Sequence, residues 1–363
     1  MTTAPAPIAP GATIGILGGG QLGRMLAMAA AALGYRAHVF VPDQDSPTAQ
    51  VAAAATVAPY DDLDALTRFA AAVDVVTFEF ENVPAATAAH LANLRPIHPS
   101  PRVLSIAQDR LAEKRFLNGI GVPTAPFREV ANLTDLEMAL AELGRPAVLK
   151  TVRLGYDGKG QTVIRRGDDS AVALRALGGA LGVLEGFVDF RMEASVVVAR
   201  TPTGETAHFV PVENRHVHHI LDTTIAPADI PAALAEEAVA IACDIARGLD
   251  LVGLLAVEMF VTGDDRILVN ELAPRPHNSG HWTMDACRTS QFEQHVRAVC
   301  GLPLGSTERH SDAVMKNLIG DEVAGWPGFL ADPTAKLHLY GKAEARPGRK
   351  MGHVNYLRPR TGA

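Results

Sequence analysis

Residues 13–80 alternate between two periods, and this narrows the possible folds more than any other feature of the chain. Short apolar runs at 13–17, 35–41 and 74–80 suit buried strands, while 21–33 repeats its apolar positions at helical spacing. Such a βαβ rhythm predicts a parallel sheet covered by helices. Gly34 is placed to end the helix, and the segment 42–47, with a proline at each end, to close the second strand. The proline-rich stretch 95–101 marks a domain boundary, followed by a predicted helix over 103–117. At 363 residues the chain has room for two or three packed units.

A second unit begins near Lys114. Pro146-Ala-Val-Leu-Lys150 reads as a short buried strand, Gly155-Tyr-Asp-Gly-Lys-Gly-Gln161 as a glycine-dense loop, and 162–164 as a returning strand. Further on, 195–199 is strand-like and 231–248 is an amphipathic helix. Segments 254–261 and 266–272 read as a hairpin around Thr262-Gly-Asp-Asp265.

Charge limits the partners. Lys and Arg total 33 against 40 Asp and Glu, a formal charge of −7, which argues against broad binding to nucleic acid or an anionic membrane. No apolar run approaches the ~20 residues of a membrane helix. Cys243, Cys287 and Cys300 are odd in number and widely spaced, so neither a disulfide framework nor a paired-cysteine zinc site is suggested, and a reducing cytoplasm is expected. The Pro- and Ala-rich start lacks the basic and apolar regions of a signal peptide, so no export is expected. An anionic ligand must meet a local basic site, and residues 336–360 concentrate seven Lys or Arg against one Glu.

Gly18-Gly-Gly-Gln-Leu-Gly23 holds a Gly-x-Gly-x-x-Gly pattern between strand and helix, where backbone N–H groups and the helix N-terminus can hold a phosphate. With Asp43 after the second strand it suggests a nicotinamide dinucleotide, although any tight strand-to-helix turn can need the same glycines. Lys150 and the loop after it point to polyphosphate, because Gly155, Gly158 and Gly160 permit close backbone approach. The loop joins two strands rather than opening a helix, so it suggests a flap and not a Walker motif; a plain surface hairpin is the alternative.

Glu258 and Asn270-Glu271 interrupt two otherwise apolar strands, where unpaired burial would be costly. If the strands pair, both carboxylates and the amide oxygen can converge as a hard oxygen site for Mg2+ bridging phosphates. The turn length leaves the register open, and a salt-bridged strand pair is the alternative. Ala273-Pro-Arg-Pro-His-Asn-Ser-Gly-His281 is too polar for packing. Its Arg275 suits a small oxyanion, whereas His277 and His281 have zinc spacing without a helix or an intervening Glu. His216 and His218 share a face if they lie on a strand; a metal is conceivable, and one histidine at a nucleotide is favoured. Glu79 and Glu81 likewise share a face at the end of a strand, where an open parallel sheet carries its ligand. No Gly-x-Ser-x-Gly elbow occurs and no cysteine neighbours a His, which disfavours nucleophilic hydrolysis.

Gly18-Gly-Gly-Gln-Leu-Gly-Arg-Met25, Thr77-Phe-Glu-Phe-Glu-Asn-Val-Pro84, the loop 155–161, Asn270-Glu-Leu-Ala-Pro-Arg-Pro-His-Asn-Ser-Gly-His281 and Leu337-His-Leu-Tyr-Gly-Lys342 together resemble the ATP-grasp superfamily. Within it they resemble the N5-carboxyaminoimidazole ribonucleotide synthases of purine biosynthesis, from Ile14 to about Asn355. The resemblance implies a fold of α/β and α+β parts. These are an N-terminal parallel, Rossmann-like α/β substrate-binding domain (1–108), a small ATP-grasp lid with its connecting helix (109–190), and a larger body with a basic C-terminal segment (191–363).

The same resemblance implies that Arg110, Lys114 and Lys150 contact ATP, and that Gly155, Tyr156, Asp157, Gly158, Lys159, Gly160 and Gln161 form a flap over its phosphates. Glu185, Gly186, Phe187 and Val188 would be the hinge that reads adenine through backbone groups, with Glu193 on the ribose and His216 near the nucleotide. Glu258 and Glu271, aided by Asn270, would hold Mg2+. The implied reaction joins 5-aminoimidazole ribonucleotide, bicarbonate and ATP through carboxyphosphate, giving N5-carboxyaminoimidazole ribonucleotide, ADP and phosphate. Arg275 would hold the bicarbonate or carboxyphosphate oxyanions, with His277 and Asn278 orienting them; Tyr156 and Asp157 would meet the aminoimidazole, and Asp157 would accept a proton from its amine. Gly20, Gln21, Leu22, Glu81 and Asn82 would line the ribonucleotide pocket, which reassigns the opening glycine motif from a dinucleotide to the substrate. Lys342, Arg349 and Lys350 would meet the 5′-phosphate. A homodimer is implied.

Three alternatives stand beside this reading. Another ATP-grasp ligase, such as the formate-dependent enzyme acting on glycinamide ribonucleotide, shares the fold; the segments around Glu79 and Lys342 favour the aminoimidazole substrate. An NAD-dependent oxidoreductase and a non-catalytic nucleotide-binding module are the others, and the convergence of Lys150, Glu258 and Glu271 speaks against both.

Overall fold

Three sheets carry the chain, and the computed structural model describes residues 6–153, 155 and 160–361. The flap positions Tyr156, Asp157, Gly158 and Lys159 lie outside the described residues.

The first sheet contains β1 (Thr13–Leu17), β2 (Arg36–Val41), β3 (Ala54–Val57) and β4 (Val75–Phe78), all parallel in the order β3-β2-β1-β4. Helix Gln21–Ala32 crosses from β1 to β2 and buries Leu22, Met25, Leu26 and Ala30, and Gly34 ends it with a φ of 81°. On β1, a Cβ at Gly15 would stand 2.7 Å from the Phe69 ring. Cover on both faces explains the unbroken apolar run of the strand. The predicted strand 74–80 stops at Phe78, so Glu79 and Glu81 leave the sheet as a bend instead of alternating along it. The helix expected over 103–117 is two helices, Pro101–Ala107 and Arg110–Gly119. Asp109 is extended between them, and its carboxylate accepts the Leu111 and Ala112 N–H groups at 3.1 and 3.0 Å. The break is therefore a new N-cap, and it aims Arg110, Glu113 and Lys114 in a fresh direction.

The second sheet is antiparallel: β5 (Phe127–Val130), β6 (Ala147–Thr151), β7 (Gln161–Ile164) and β8 (Gly182–Gly186), in the order β5-β8-β6-β7. Lys150 pairs with Gln161, so β6 and β7, the strands on either side of the glycine-dense segment, lie antiparallel and adjacent. At the base of that segment Gly160 has a φ of 72°, and a Cβ there would stand 2.6 Å from Thr151 Oγ1.

The third sheet holds β9 (Phe190–Arg200), β10 (Thr206–His208), β11 (Val212–Val217), β12 (Ile220–Ala226), β13 (Gly253–Thr262), β14 (Ile267–Ala273), β15 (Ser311–Ile319), β16 (Ala335–Leu339) and β17 (Lys350–Pro359). Their order is β14-β13-β9-β11-β12-β15-β17-β16, with β10 beside β9. Helix Ala232–Gly248 packs Leu234, Ala238, Ala242 and Ile245 against Val196, Val198, Leu255 and Val257 on one face. On the other face Leu254 and Ala256 join a core around Trp282, and farther along the same strand Glu258 and Phe260 line a cleft. The strand expected to carry His216 and His218 ends at Val217. His218 and His219 form its turn with φ of 51° and 64°, as a two-residue hairpin requires, so the two histidines share no strand face. Among the described residues no helix is long and apolar enough to cross a membrane.

Candidate active site

A cleft of about 840 Å³ is lined by strands of the second and third sheets and by connections of the first. Sequence-predicted residues on its lining are Gly20, Gln21, Leu22, Glu81, Asn82, Arg110, Lys150, Gly155, Gln161, Phe187, Glu193, His216, Glu258, Asn270, Glu271, Arg275, His277, Asn278 and Lys350. Lys114, Gly160, Glu185, Gly186, Val188, Lys342 and Arg349 lie off the lining.

On the side of Lys150, one buried carboxylate organises two amines. Lys150 Nζ donates to Glu185 Oε2 at 3.0 Å, and Lys114 Nζ lies 3.2 Å from Glu185 Oε1 with its side chain wholly buried. Glu185 was expected to act through its backbone; here its side chain is the shared counter-ion. Burial alone would raise its pKa, but Lys150, Lys114 and Arg110 outweigh that and hold it at about 2. Burial also lowers the pKa of Lys150, helped by the charges of Arg110 and Lys114 and opposed by Glu185. Arg110 reaches Glu271 Oε2 at 3.2 Å and the Gly155 carbonyl at 3.4 Å.

Sequence reasoning missed Glu113, which lines the same region although it is only 2% exposed. One of its oxygens accepts the Leu272 N–H at 2.9 Å, and Oε1 has no hydrogen-bond partner among the described residues. Burial, with the nearby charge of Glu271, pushes its pKa up to about 8 against Arg110 and Lys114. Its position three residues after Arg110 was the available signal, but an acid in an amphipathic helix reads as surface charge. Phe190 and Phe260 were also missed; they stack with centroids 4.6 Å apart on the lining.

The open question of hairpin register resolves at a bulge. Glu258 pairs directly with Glu271, whereas the next residue, Met259, pairs with Val269. Asn270 is the extra residue, so consecutive side chains Asn270 and Glu271 both reach the cleft. Asn270 Oδ1 is buried without a hydrogen-bond partner among the described residues, an oxygen left for a ligand to satisfy. Two opposed carboxylates and a spare amide oxygen suit a hard divalent ion that shares its remaining positions with phosphate. Among the described residues no group of three or more His, Cys, Asp or Glu can hold a metal alone.

Around Arg275 the charges are paired. Arg275 Nε donates to Glu81 Oε2. Burial would raise the Glu81 pKa, but the guanidinium outweighs it and lowers it. His277 Nε2 lies 3.0 Å from Glu258 Oε1, and despite burial the pKa of Glu258 is lowered by the His277 hydrogen bond and the charges of His216 and Arg275. The His277 backbone is held at both ends by the amide of Gln291, which accepts its N–H at 2.9 Å and donates to its carbonyl at 2.7 Å. Neither polar side-chain atom of buried Asn278 has a hydrogen-bond partner among the described residues. His281 Nδ1 is 3.0 Å from Gln291 Nε2 in the core. On the neighbouring wall, His216 Nδ1 lies 2.5 Å from Glu193 Oε2. Burial lowers the His216 pKa, but Glu193 outweighs it and raises it.

Of the basic tail, Lys350 reaches the lining. Lys342 donates to the Lys350 carbonyl at 2.7 Å, and Arg349 Nη1 to the Glu344 carbonyl at 2.9 Å. Burial, then the charges of Arg349 and Lys350, lowers the Lys342 pKa to about 8 against Glu79.

The glycine motif has a different explanation from phosphate binding. Glu79 Oε1 accepts the Gly20 N–H at 2.6 Å, and Oε2 the Gly23 N–H at 3.2 Å. A Cβ at Gly18, where φ is 109°, would stand 2.3 Å from Glu79 Cγ, and one at Gly20 would stand 2.7 Å from its oxygens. The position at the helix N-terminus where a pyrophosphate would sit is filled by a protein carboxylate. This overturns the dinucleotide reading of the motif.

Three family models match the chain: a ribonucleotide synthetase preATP-grasp domain over residues 11–108, an ATP-grasp domain over 115–292, and a phosphoribosylaminoimidazole carboxylase C-terminal domain over 313–363. The chain is 52% identical to the N5-carboxyaminoimidazole ribonucleotide synthase of Brucella melitensis biotype 1 over 354 residues, covering 97% of this chain and 98% of that one. Among solved structures it is similar to an N5-carboxyaminoimidazole ribonucleotide synthetase in its ADP complex, with a TM-score of 0.95, 48% identity, and 99% and 94% of the two chains covered. It is also similar to the synthase of Aspergillus clavatus in complex with ADP and 5-aminoimidazole ribonucleotide, with a TM-score of 0.90, 33% identity, and 96% and 94% covered.

Proposed function

This chain belongs to the N5-carboxyaminoimidazole ribonucleotide synthase family of ATP-grasp ligases, and we propose that this cleft couples ATP cleavage to carboxylation of 5-aminoimidazole ribonucleotide. It is an ATP-dependent carbon–nitrogen ligase of purine biosynthesis. The observation that carries the division of labour is that one cleft joins Lys150, Phe260 and Glu271 to Gln21, Asn82 and Lys350, with Arg275 feeling the charges of both Glu81 and Glu271.

Bicarbonate is a poor electrophile, so its conversion to carboxyphosphate supplies a leaving group. The exocyclic amine then captures the mixed anhydride, or CO2 released from it beside the ring. On this reading Arg110, Lys150 and the flap meet the ATP phosphates, and Phe187, Phe190 and Phe260 form the apolar wall for the base. Lys114 acts through Glu185 rather than by contact. Glu258, Glu271 and Asn270 would hold Mg2+, which when bound would supply charge neutralisation for the phosphates. Arg275, in leaving Glu81, offers its planar donors to the bicarbonate or carboxyphosphate oxygens, with His277 and Asn278 beside it. Gly20, Gln21, Leu22, Glu81 and Asn82 border the ribonucleotide and Lys350 its phosphate, with Lys342 and Arg349 behind it. Asp157 is assigned the amine proton.

The strand order β3-β2-β1-β4 supports reading residues 1–108 as a Rossmann-like substrate domain; 109–190 is read as the lid and 191–363 as the body, and the assembly as a homodimer. The deciding measurement is phosphate release from Mg-ATP with and without 5-aminoimidazole ribonucleotide and bicarbonate. Stimulation is expected when both are present. Stimulation by glycinamide ribonucleotide with formate instead would transfer the assignment to that reaction.

A further inference from the structure

A row of buried polar groups crosses the third sheet beside the cleft with no part in the chemistry above. Thr224 on β12 lies opposite Asn214 on β11, and Ser195 on β9 lies opposite Glu258 on β13. Thr224, Ser195 and Asn214 are 0%, 1% and 5% exposed. Thr224 Oγ1 donates to Asn214 Oδ1 at 3.0 Å, Asn214 Nδ2 to Ser195 Oγ at 2.9 Å, and Ser195 Oγ to Ser279 Oγ at 2.7 Å. Ser279 Oγ in turn lies 2.9 Å from His277 Nδ1. Desolvating such groups in a strand core is unfavourable unless all are satisfied, and this row is satisfied by ending on a cleft residue.

The direction of the row follows from one fixed donor. The Ser279 backbone N–H points at His277 Nδ1 at 3.3 Å, and a backbone amide donates in every state, so Nδ1 is an acceptor. The Ser279 hydroxyl can then donate to the same nitrogen while its oxygen takes the Ser195 proton, so Ser195 and Ser279 each give once and receive once. The ring proton is left on Nε2, facing Glu258 Oε1 at 3.0 Å.

We propose that Ser195 and Ser279 are positioning residues that fix His277 as its Nε2–H tautomer, so that the ring orients Glu258 as a donor and takes no proton from the substrate amine. The inference rests on the proposed function only in reading Glu258 and His277 as part of the reaction site, and the tautomer itself is measurable without substrates or metal.

In the metal-free full-length protein labelled with 15N-histidine, the signal lost in His277→Gln identifies this ring. Its Nε2 is expected to carry the proton and its Nδ1 to have the shift of an unprotonated nitrogen; a protonated Nδ1 overturns the proposal. Ser279→Ala removes the 2.9 Å hydroxyl contact and leaves Nδ1 only the longer 3.3 Å backbone N–H, and Ser195→Ala frees the Ser279 hydroxyl to turn. In both the Nδ1–H tautomer should become detectable beside the Nε2–H form, and kcat should fall about tenfold with the KM for ATP held within about twofold. An unchanged kcat in both variants, or an unchanged tautomer with lowered kcat, also overturns it. The expected tautomer without ribonucleotide-stimulated phosphate release would count against the proposed function alone.

Discussion

The two sides of the cleft balance charge in different ways. Beside Lys150, three cations, Lys114, Lys150 and Arg110, face the carboxylates of Glu185 and Glu271. Glu113 does not cancel the remainder, because its raised pKa keeps it mostly neutral at pH 7. Around the glycine motif the two acids are already engaged: Glu81 with Arg275, and Glu79 with the Gly20 and Gly23 N–H groups. A surplus of buried positive charge draws a polyphosphate in as the site stands. A matched pair discriminates instead, since only an oxyanion that satisfies the guanidinium as well as Glu81 does can take its place.

The most severe way to break the contrast is Glu185→Ala, which leaves two buried ammonium groups without their counter-ion. Denaturant unfolding should show a loss of about 3–5 kcal/mol; a loss under about 1 kcal/mol would mean that the surplus is balanced elsewhere. The low pKa of Glu185 sets the sign with pH. Its stabilising contribution is complete above the ordinary carboxylate range and fades as pH falls toward about 2, so acid should unfold the wild type and leave the variant's stability flatter.

Next comes Glu271→Gln, expected to lower Mg-ATP turnover at least about 100-fold while circular dichroism stays native. Unchanged turnover at limiting Mg2+ would remove Glu271 from the metal site. Arg275→Lys tests the matched side. Losing the planar fork should cost about 2 kcal/mol, roughly thirtyfold in ribonucleotide-stimulated kcat, with ATP binding intact. Equal losses in ATP affinity would erase the distinction between the two sides.

The smallest effect is a pH dependence. Lys342 is charged below its lowered pKa of about 8 and neutral above it. The KM for the ribonucleotide should therefore rise above pH 8 by at most about tenfold per pH unit, while that for ATP changes less. Lys342→Arg should flatten the profile. A wild-type profile already flat between pH 7 and 9.5 would place the 5′-phosphate elsewhere.

Local patterns made much of the architecture legible before any coordinates: the βαβ rhythm, the two strands that flank the glycine-dense loop, and the pairing of the two acidic strands. What escaped depends on contacts between distant parts of the chain. Glu113 acquires its meaning from Leu272, and the glycines at 18–23 acquire theirs from Glu79. The bulge that turns Asn270 and Glu271 to one side, and the cap at Asp109 that splits a helix, are shifts of a single residue that periodicity averages away. Ser195, Asn214 and Thr224 had no signal, because small polar residues in strands look alike whether they are exposed or wired to a histidine.

The Glu79 carboxylate on the first helix also constrains anyone who would re-engineer this fold. Glu79 behaves as a built-in occupant, delivered by the chain at unit stoichiometry and never diluted, so no concentration of free dinucleotide competes with it on equal terms. Converting the domain into a cofactor carrier would mean first evicting that occupant. The glycines alone, copied or shuffled, would transplant the turn without its former use.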